Sequence, residues 1–186
     1  MQGDKVKPIQ TPRLQLLPMT EKQLKRCVIP GGPDELAREL GVALDGSLFS
    51  DVVSRAINIK LEKMSSAPAH EHVWYTFWII VLDHKTVIGM IGFKGPADTY
   101  GQVEIGYGIL PAFQGQGYAT EAVSGFIDYA FAPRHKGVTA VIAETARDNL
   151  ASQRVLQKCG LHFQRAVDDF LWWQVAVSDR KLTATS

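Results

Sequence analysis

The spacing of apolar residues along the chain changes character at His72. Ahead of it the spacing is helical: Val52, Val53, Ala56, Ile59 and Met64 predict a helix over residues 51–64 with Ser50 as its cap, and residues 34–40 carry a compatible pattern. Earlier still, residues 11–18 (Thr-Pro-Arg-Leu-Gln-Leu-Leu-Pro) alternate briefly and predict a first strand, after which Thr20 can cap a helix ending near Cys27. Beyond His72, residues 73–82 are rich in aromatic and β-branched side chains, Asp83-His84-Lys85 interrupts them, and residues 86–93 resume the run; this is a hairpin signature. A strand over residues 102–110 follows the Gly95-Pro96-Ala97-Asp98 turn, so antiparallel strands are expected in succession up to that point.

The period then returns to that of a helix. Ala119, Ala122, Val123, Phe126, Ile127 and Ala130 fall on one stripe that should pack on the sheet, and residues 138–143 read as the next strand. A strand, helix, strand order implies a parallel pair joined by a right-handed crossover. Residues 149–159 are helix-like, with Asp148 or Asn149 as cap and Gly160 at the left-handed C-terminal position, and two last strands over residues 161–166 and 170–177 flank Asp168-Asp169 before a frayed tail. The pattern predicts a single α/β (α+β) domain over residues 1–186: a mixed, mostly antiparallel sheet of about six or seven strands flanked by helices.

Composition narrows the function. With 186 residues, 46% hydrophobic and 21% charged, the chain can build one full core. A formal charge of +1 with dispersed Lys and Arg gives no electrostatic footprint for a nucleic acid. Cys27 and Cys159 form no Cys-x-x-Cys pair, which points away from zinc and from a disulfide framework and toward a reducing, cytoplasmic setting. The opening Met-Gln-Gly-Asp-Lys-Val-Lys-Pro has no apolar core for a signal peptide, and no apolar stretch reaches membrane-spanning length, so neither export nor a membrane is expected.

The chemistry concentrates at Gln114-Gly115-Gln116-Gly117-Tyr118-Ala119, between a predicted strand and a predicted helix. Glycines there allow a tight turn and close backbone approach, and the unpaired N–H groups of a helix's first turn favour phosphate oxygens. A ligand-free turn is the alternative. A P-loop would need Lys followed by Ser or Thr after the second glycine, where Tyr118 and Ala119 stand. A dinucleotide fingerprint would need Gly or Ala at Thr120 and an acidic residue roughly twenty residues on, and neither is present.

In the strand ahead of this loop the period of two sends Val103, Ile105, Tyr107 and Ile109 to one face and Glu104, Gly106 and Gly108 to the other. The nearly bare face can hold a thin ligand arm running from Glu104 toward the loop. A helix packed on the glycines, with Glu104 a solvated strand residue, is the competing reading.

In order along the chain, Val103-Glu104-Ile105-Gly106-Tyr107, then Gln-x-x-Gly-x-Ala at Gln114, Gly117 and Ala119, then Asn149-Leu150-Ala151-Ser152 and Lys158-Cys159-Gly160 resemble the GNAT N-acetyltransferases, in particular the ribosomal-protein N-terminal acetyltransferase-like branch. The opening Thr-Pro-Arg-Leu-Gln-Leu resembles that branch's first strand, so the likeness spans nearly the whole chain. The resemblance implies a GNAT-type twisted sheet with its parallel pair around the cofactor site, and transfer of acetyl from acetyl-coenzyme A to a primary amine by direct attack. It implies that Gln114, Gly115, Gln116, Gly117, Tyr118 and Ala119 hold the coenzyme pyrophosphate through backbone groups. Backbone near Ile109 and Leu110 would pair with pantetheine and offer an oxyanion donor, Asn149 would contact the pantetheine arm, and Ser152 would lie near the thioester.

A general base is sought in Glu104, with Glu144 second and His84, in the hairpin turn, third. Many family members carry a Tyr as general acid seven residues after the Asn; here that position is Leu156, and Ser152 is the substitute donor. The acceptor is a protein N-terminus or a small-molecule amine, and a homodimer is compatible with the family. Absence of the usual Tyr keeps open a second function, a non-catalytic acyl-coenzyme A-binding module. Cys159, on the apolar side of its helix, is no nucleophile candidate. Trp74, Trp78, Trp172 and Trp173 are expected in the core rather than in a pocket.

Overall fold

In the computed structural model, which describes residues 6–183 and the side chains of residues 6–180, the chain runs β1 (Ile9–Gln10), β2 (Leu14–Pro18), α1 (Glu21–Cys27), α2 (Gly32–Leu40), α3 (Asp51–Ser66), β3 (Phe77–Leu82), β4 (Thr86–Phe93), β5 (Gln102–Ile109), α4 (Tyr118–Ala130), β6 (Ala140–Ala146), α5 (Leu150–Lys158), β7 (His162–Val167), β8 (Phe170–Ala176) and α6 (Val177–Thr183). The strands form an eight-stranded sheet in the order β1-β2-β3-β4-β5-β6-β8-β7. All pairings are antiparallel except β5 with β6. Mixed and mostly antiparallel is the expected architecture; eight strands exceed the expected six or seven because a short strand, β1 at Ile9–Gln10, precedes the expected first strand, which itself begins only at Leu14.

The break between β1 and β2 has a local cause. Thr11 Oγ1 accepts from the Leu14 N–H at 3.0 Å and the Thr11 main-chain N–H donates to the Leu14 carbonyl at 2.9 Å, closing a turn across residues 11–14. Residues 73–76 do not join β3 as expected, because a short 3-10 helix over Ala69–Trp74 precedes the strand and Thr76 donates its hydroxyl to the Met19 carbonyl. The aromatic enrichment there serves packing: the Trp74 ring lies 4.9 Å from that of Phe93. At the β3–β4 hairpin Asp83 and His84 both adopt positive φ, 50° and 57°, the geometry of a turn matched to the strands' twist.

Two cores lie on the two faces of the sheet. On one, Leu14, Leu16, Trp78, Phe93, Val103 and Ile105 meet Ala122, Val123, Phe126, Ile127 and Ala130, the stripe the spacing predicts for α4. On the other, Ile79, Val81, Val87 and Met90 meet Leu24 of α1, Leu36 of α2 and Ile57 and Met64 of α3. The stripe predicted for α3 is rotated from the observed one: Val52 and Ile59 are 75% and 48% exposed, while Ile57, Lys60 and Met64 point inward. A lysine takes an apolar position because its ammonium bonds the Phe93 carbonyl and lies 4.7 Å from the centroid of the Phe77 ring. Thr20 and Gln23 make the capping box of α1, whereas Ser50 makes no side-chain cap bond to α3. Helix α6 was not anticipated; of the expected frayed tail, residues 184–186 lie outside the described residues.

Candidate acyl-coenzyme A site

Strands β5 and β6 pair only from Gln102 to Glu104 against Ala140 to Ile142. Beyond that point β5 continues to Ile109 along β4 and β6 continues to Ala146 along β8, so the sheet opens as a fork. The Leu110 N–H donates to the Ile88 carbonyl at 2.8 Å and the Lys94 N–H to the Glu104 carbonyl at 2.8 Å. Alternation therefore turns the main-chain groups of Ile105, Tyr107 and Ile109 into the fork, where an extended ligand arm can add as a strand. Leu110, named from the resemblance as an oxyanion donor, has its N–H engaged with β4 and does not line the cleft; Ile109 does.

The loop that follows β5 is built as a cradle. Gly115 and Gly117 have φ of 75° and 82°, left-handed values that an L side chain resists, and Gly117 caps α4 with no side-chain bond, leaving the first-turn amides open. Such alternation of main-chain hand makes a concavity of N–H groups suited to anions. A cleft of about 400 Å³ joins cradle to fork. Of the residues expected at the cofactor, Ile109, Gln114, Gly115, Gly117, Tyr118, Ala119, Asn149 and Ser152 line it, while Leu110 and Gln116 do not. Gln114 Nε2 folds back onto the Ile109 carbonyl at 2.9 Å, and the Gln116 carbonyl is turned toward Arg13. Asn149 Oδ1 caps α5 by accepting from the Ser152 N–H at 3.0 Å, so helix capping is realised on a residue that also faces the cleft.

Opposite the cradle the cleft holds a pair that the sequence reading did not find. The Tyr107 hydroxyl lies 2.7 Å from Ser152 Oγ and 3.3 Å from the Ser152 carbonyl. Burial pushes the Tyr107 phenol up to about 12, with the Ser152 bond opposing the rise, so Tyr107 stays protonated at neutral pH. Alternation assigned Tyr107 to the core face with Val103 and Ile105, and only the fork exposes its tip. Leu156, at the family's usual Tyr position, is fully buried. Arg154 and Lys158 of α5 also line the cleft and add positive charge on its α5 side.

Glu104 and Glu144, the first and second choices for a base, are brought together by Lys94. Its Nζ sits 2.5 Å from Glu104 Oε1 and 2.6 Å from Glu144 Oε1. Burial opposes the Lys94 charge, yet bonding to and attraction by the two glutamates outweigh it and hold its pKa above the ordinary lysine value. A Cβ built at Gly108 meets nothing within 4 Å, and one at Gly106 approaches only Lys94, so the glycine face is open from Glu104 toward the cradle. None of Glu104, Glu144 and His84 lines the cleft, and His84 is exposed in its turn. Burial pushes the Cys159 thiol up to about 11 and the Cys27 thiol to about 12, which leaves neither a nucleophile. Trp78 and Trp173 are buried in the core. Among the described residues no cluster of His, Cys, Asp and Glu is arranged to hold a metal, and no helix is long and apolar enough to cross a membrane.

A forked mixed sheet, a glycine cradle at a helix start and a cleft joining them define a protein that can take a linear ligand by its phosphates and its strand-like arm. The family model for the acetyltransferase (GNAT) domain matches residues 37–162, and the chain belongs to the GNAT acetyltransferase family. It is similar to the uncharacterized N-acetyltransferase YjdG of Bacillus subtilis (strain 168), 32% identical over 97 residues that cover 52% of this chain and 56% of that protein. A shorter match, 42% identical over 60 residues, covers 32% of the chain and 25% of the FsC-acetyl coenzyme A-N(2)-transacetylase of Aspergillus fumigatus. The chain thus matches about half the length of YjdG, and a smaller share of the second relative. Among solved structures, the ribosomal-protein-S5-alanine acetyltransferase of Vibrio fischeri superposes with a TM-score of 0.61 at 15% identity, covering 92% of this chain and 97% of that one. The RimL ribosomal L7/L12 alpha-N-protein acetyltransferase in complex with coenzyme A gives 0.61 at 14% identity, covering 93% and 99%. At these identities the likeness establishes the shared fold.

Proposed function

We propose that this protein is an N-acetyltransferase that moves acetyl from acetyl-coenzyme A to a primary amine in a ternary complex. The observation that carries the reading is the continuous cleft from the amides after Gly115 and Gly117 to the open edge of β5, which matches a ligand with a pyrophosphate at one end and an amide-bearing arm at the other. Gln114 to Ala119 receive the pyrophosphate, with Gln116 contributing through the peptide it shares with Gly117. Ile109 pairs with the pantetheine arm at the end of β5 nearest the cradle. Asn149 meets the arm from α5.

In the transfer the amine lone pair attacks the thioester carbonyl, the carbon–sulfur bond breaks, and the amine's proton passes to Glu104 directly or through water. Glu104 Oε1 faces Lys94, which leaves Oε2 to receive it. Ser152, on the cleft wall beside Tyr107, hydrogen-bonds the departing thiolate, which takes its proton from a water in exchange with solvent. The acceptor we favour is a protein N-terminus, since the structural neighbours include ribosomal-protein acetyltransferases; a small-molecule amine is the other class. The two unpaired, buried thiols fit a reducing, cytoplasmic setting.

Calorimetric titration with acetyl-coenzyme A tests the cofactor, with Gly117→Glu as the blocked variant. Saturable binding lost in the variant supports the reading, and a folded wild type that does not bind removes it. Binding without turnover across a panel of peptides and amines would instead favour the non-catalytic acyl-coenzyme A-binding module.

A further inference from the structure

The cradle has a back as well as a front, and one side chain holds it. Arg13, in the turn between β1 and β2, precedes the segment that the family model matches. Its Nη1 donates to the Gln116 carbonyl at 3.1 Å and its Nε to Glu121 Oε2 at 2.7 Å. The Arg13 main-chain N–H and the Thr11 hydroxyl both donate to Glu121 Oε1, at 2.7 and 2.6 Å. The guanidinium lies 4.5 Å from the centroid of the Tyr118 ring, and Nη2 is 3.5 Å from where a Cβ of Gly117 would be. Arg13 does not line the cleft, so it reaches a ligand only through the loop.

What the loop needs explains the clamp. In a trans peptide the carbonyl and the N–H point in opposite directions, so the Gln116 carbonyl and the Gly117 N–H cannot face the same side. Gly117 carries no Cβ to bias its φ, which makes that peptide free to turn over. Turned over, it would present an oxygen to the phosphates where the cradle should present an N–H. A guanidinium bound to the Gln116 carbonyl from behind prevents this.

We propose that Arg13 is a positioning residue for coenzyme binding: held by Glu121, it fixes the Gln116–Gly117 peptide with its N–H turned into the cradle. The proposal rests on the coenzyme reading above. Glu121 belongs to the first turn of α4, so one ion pair ties the first strands, the cradle and the helix start together.

The test is acetyl-coenzyme A affinity by calorimetry for Arg13→Gln, Arg13→Lys, Glu121→Gln and the Arg13→Gln/Glu121→Gln double variant. Thermal midpoints are followed alongside, and pantetheine, which lacks the phosphates, serves as a second ligand. Each single variant is expected to weaken acetyl-coenzyme A about tenfold, and the double variant no more than the weaker single, because both changes release the same peptide. Lysine keeps the charge but cannot bond Gln116 and Glu121 in one fork, so Arg13→Lys should fail as Arg13→Gln does. Pantetheine affinity should be unchanged. Wild-type affinity in Arg13→Lys, an equal loss for pantetheine, or additive losses in the double variant would overturn the proposal. Glu121→Gln keeps the side-chain shape and decides the matter should the Arg13 variants unfold. A wild type that binds no acetyl-coenzyme A defeats the coenzyme reading, and this proposal with it.

Discussion

Lys60 offers a direct measure of what the α3 face of the sheet tolerates. It is 7% exposed, its ammonium bonds the Phe93 carbonyl, and the charges nearest it, Lys63 and Lys94, are both positive. Burial first, then repulsion from Lys63 and Lys94, push its pKa from 10.5 down to about 7. The unfolded chain keeps the proton up to about pH 10.5, so between about pH 7 and 10.5 it binds more protons than the fold and stability climbs with pH. Below about pH 7 the penalty on the charged form is present in full, on the order of 5 kcal/mol at about 1.4 kcal/mol per pH unit. Lys60→Met keeps the stem and removes the charge, but it leaves the Phe93 carbonyl without its donor, a loss of about 1–3 kcal/mol. At pH 6 the variant should therefore be more stable than wild type by about 2–4 kcal/mol. Urea denaturation of both proteins at each unit from pH 6 to 9 reads this directly, provided the slopes match so that midpoints compare. The variant's advantage should shrink by about 1.4 kcal/mol per unit above pH 7. A difference that stays flat from pH 6 to 9, or a wild type already more stable at pH 6, would show that Lys60 remains hydrated and would refute the reasoning.

Glu104→Gln should lower acceptor-dependent turnover by about 100-fold or more while leaving acetyl-coenzyme A affinity within about twofold in calorimetry; matching losses in both would place Glu104 at the cofactor instead. Ser152→Ala should lower kcat by about tenfold or more with little change in coenzyme affinity, and an unchanged kcat would remove Ser152 from the chemistry. Gly89→Ala places a Cβ 2.2 Å from the Gly108 carbonyl oxygen. It should cost about 1–3 kcal/mol, seen as a fall of several degrees in thermal midpoint, and should weaken coenzyme binding by moving the fork edge; an unchanged midpoint would contradict the close approach of β4 and β5.

Much of the site was legible because its signals are local. Positive φ at Gly115 and Gly117 is a property of glycine itself, and the stripe from Ala119 to Ala130 needs only a period. Asn149 as a cap and Gly160 at positive φ follow from side-chain size and hydrogen-bonding type alone. The α3 stripe failed at Lys60 because residue type suggested a solvated position, whereas the long stem can pack and the head can find a carbonyl two elements away. Residues 73–76 were drawn into β3 by aromatic content, which signals burial as readily as it signals a strand.

The sequence by itself determined the order of the main strands and helices, the mixed sheet and the left-handed turns of the cradle, which rest on periodicity or on the conformational limits of glycine over a few residues, and its motifs carried the resemblance to the family. Only the tertiary structure decided which groups meet in the cleft and around it. Tyr107 meets Ser152 across 45 residues of chain, Lys94 bonds Glu144 across 50 while also pairing with Glu104, and Arg13 reaches Gln116 from 103 residues away. These contacts depend on where β5 and β6 part and on which face of each strand looks into the gap. A one-dimensional pattern carries periods but not the distances between the elements they define.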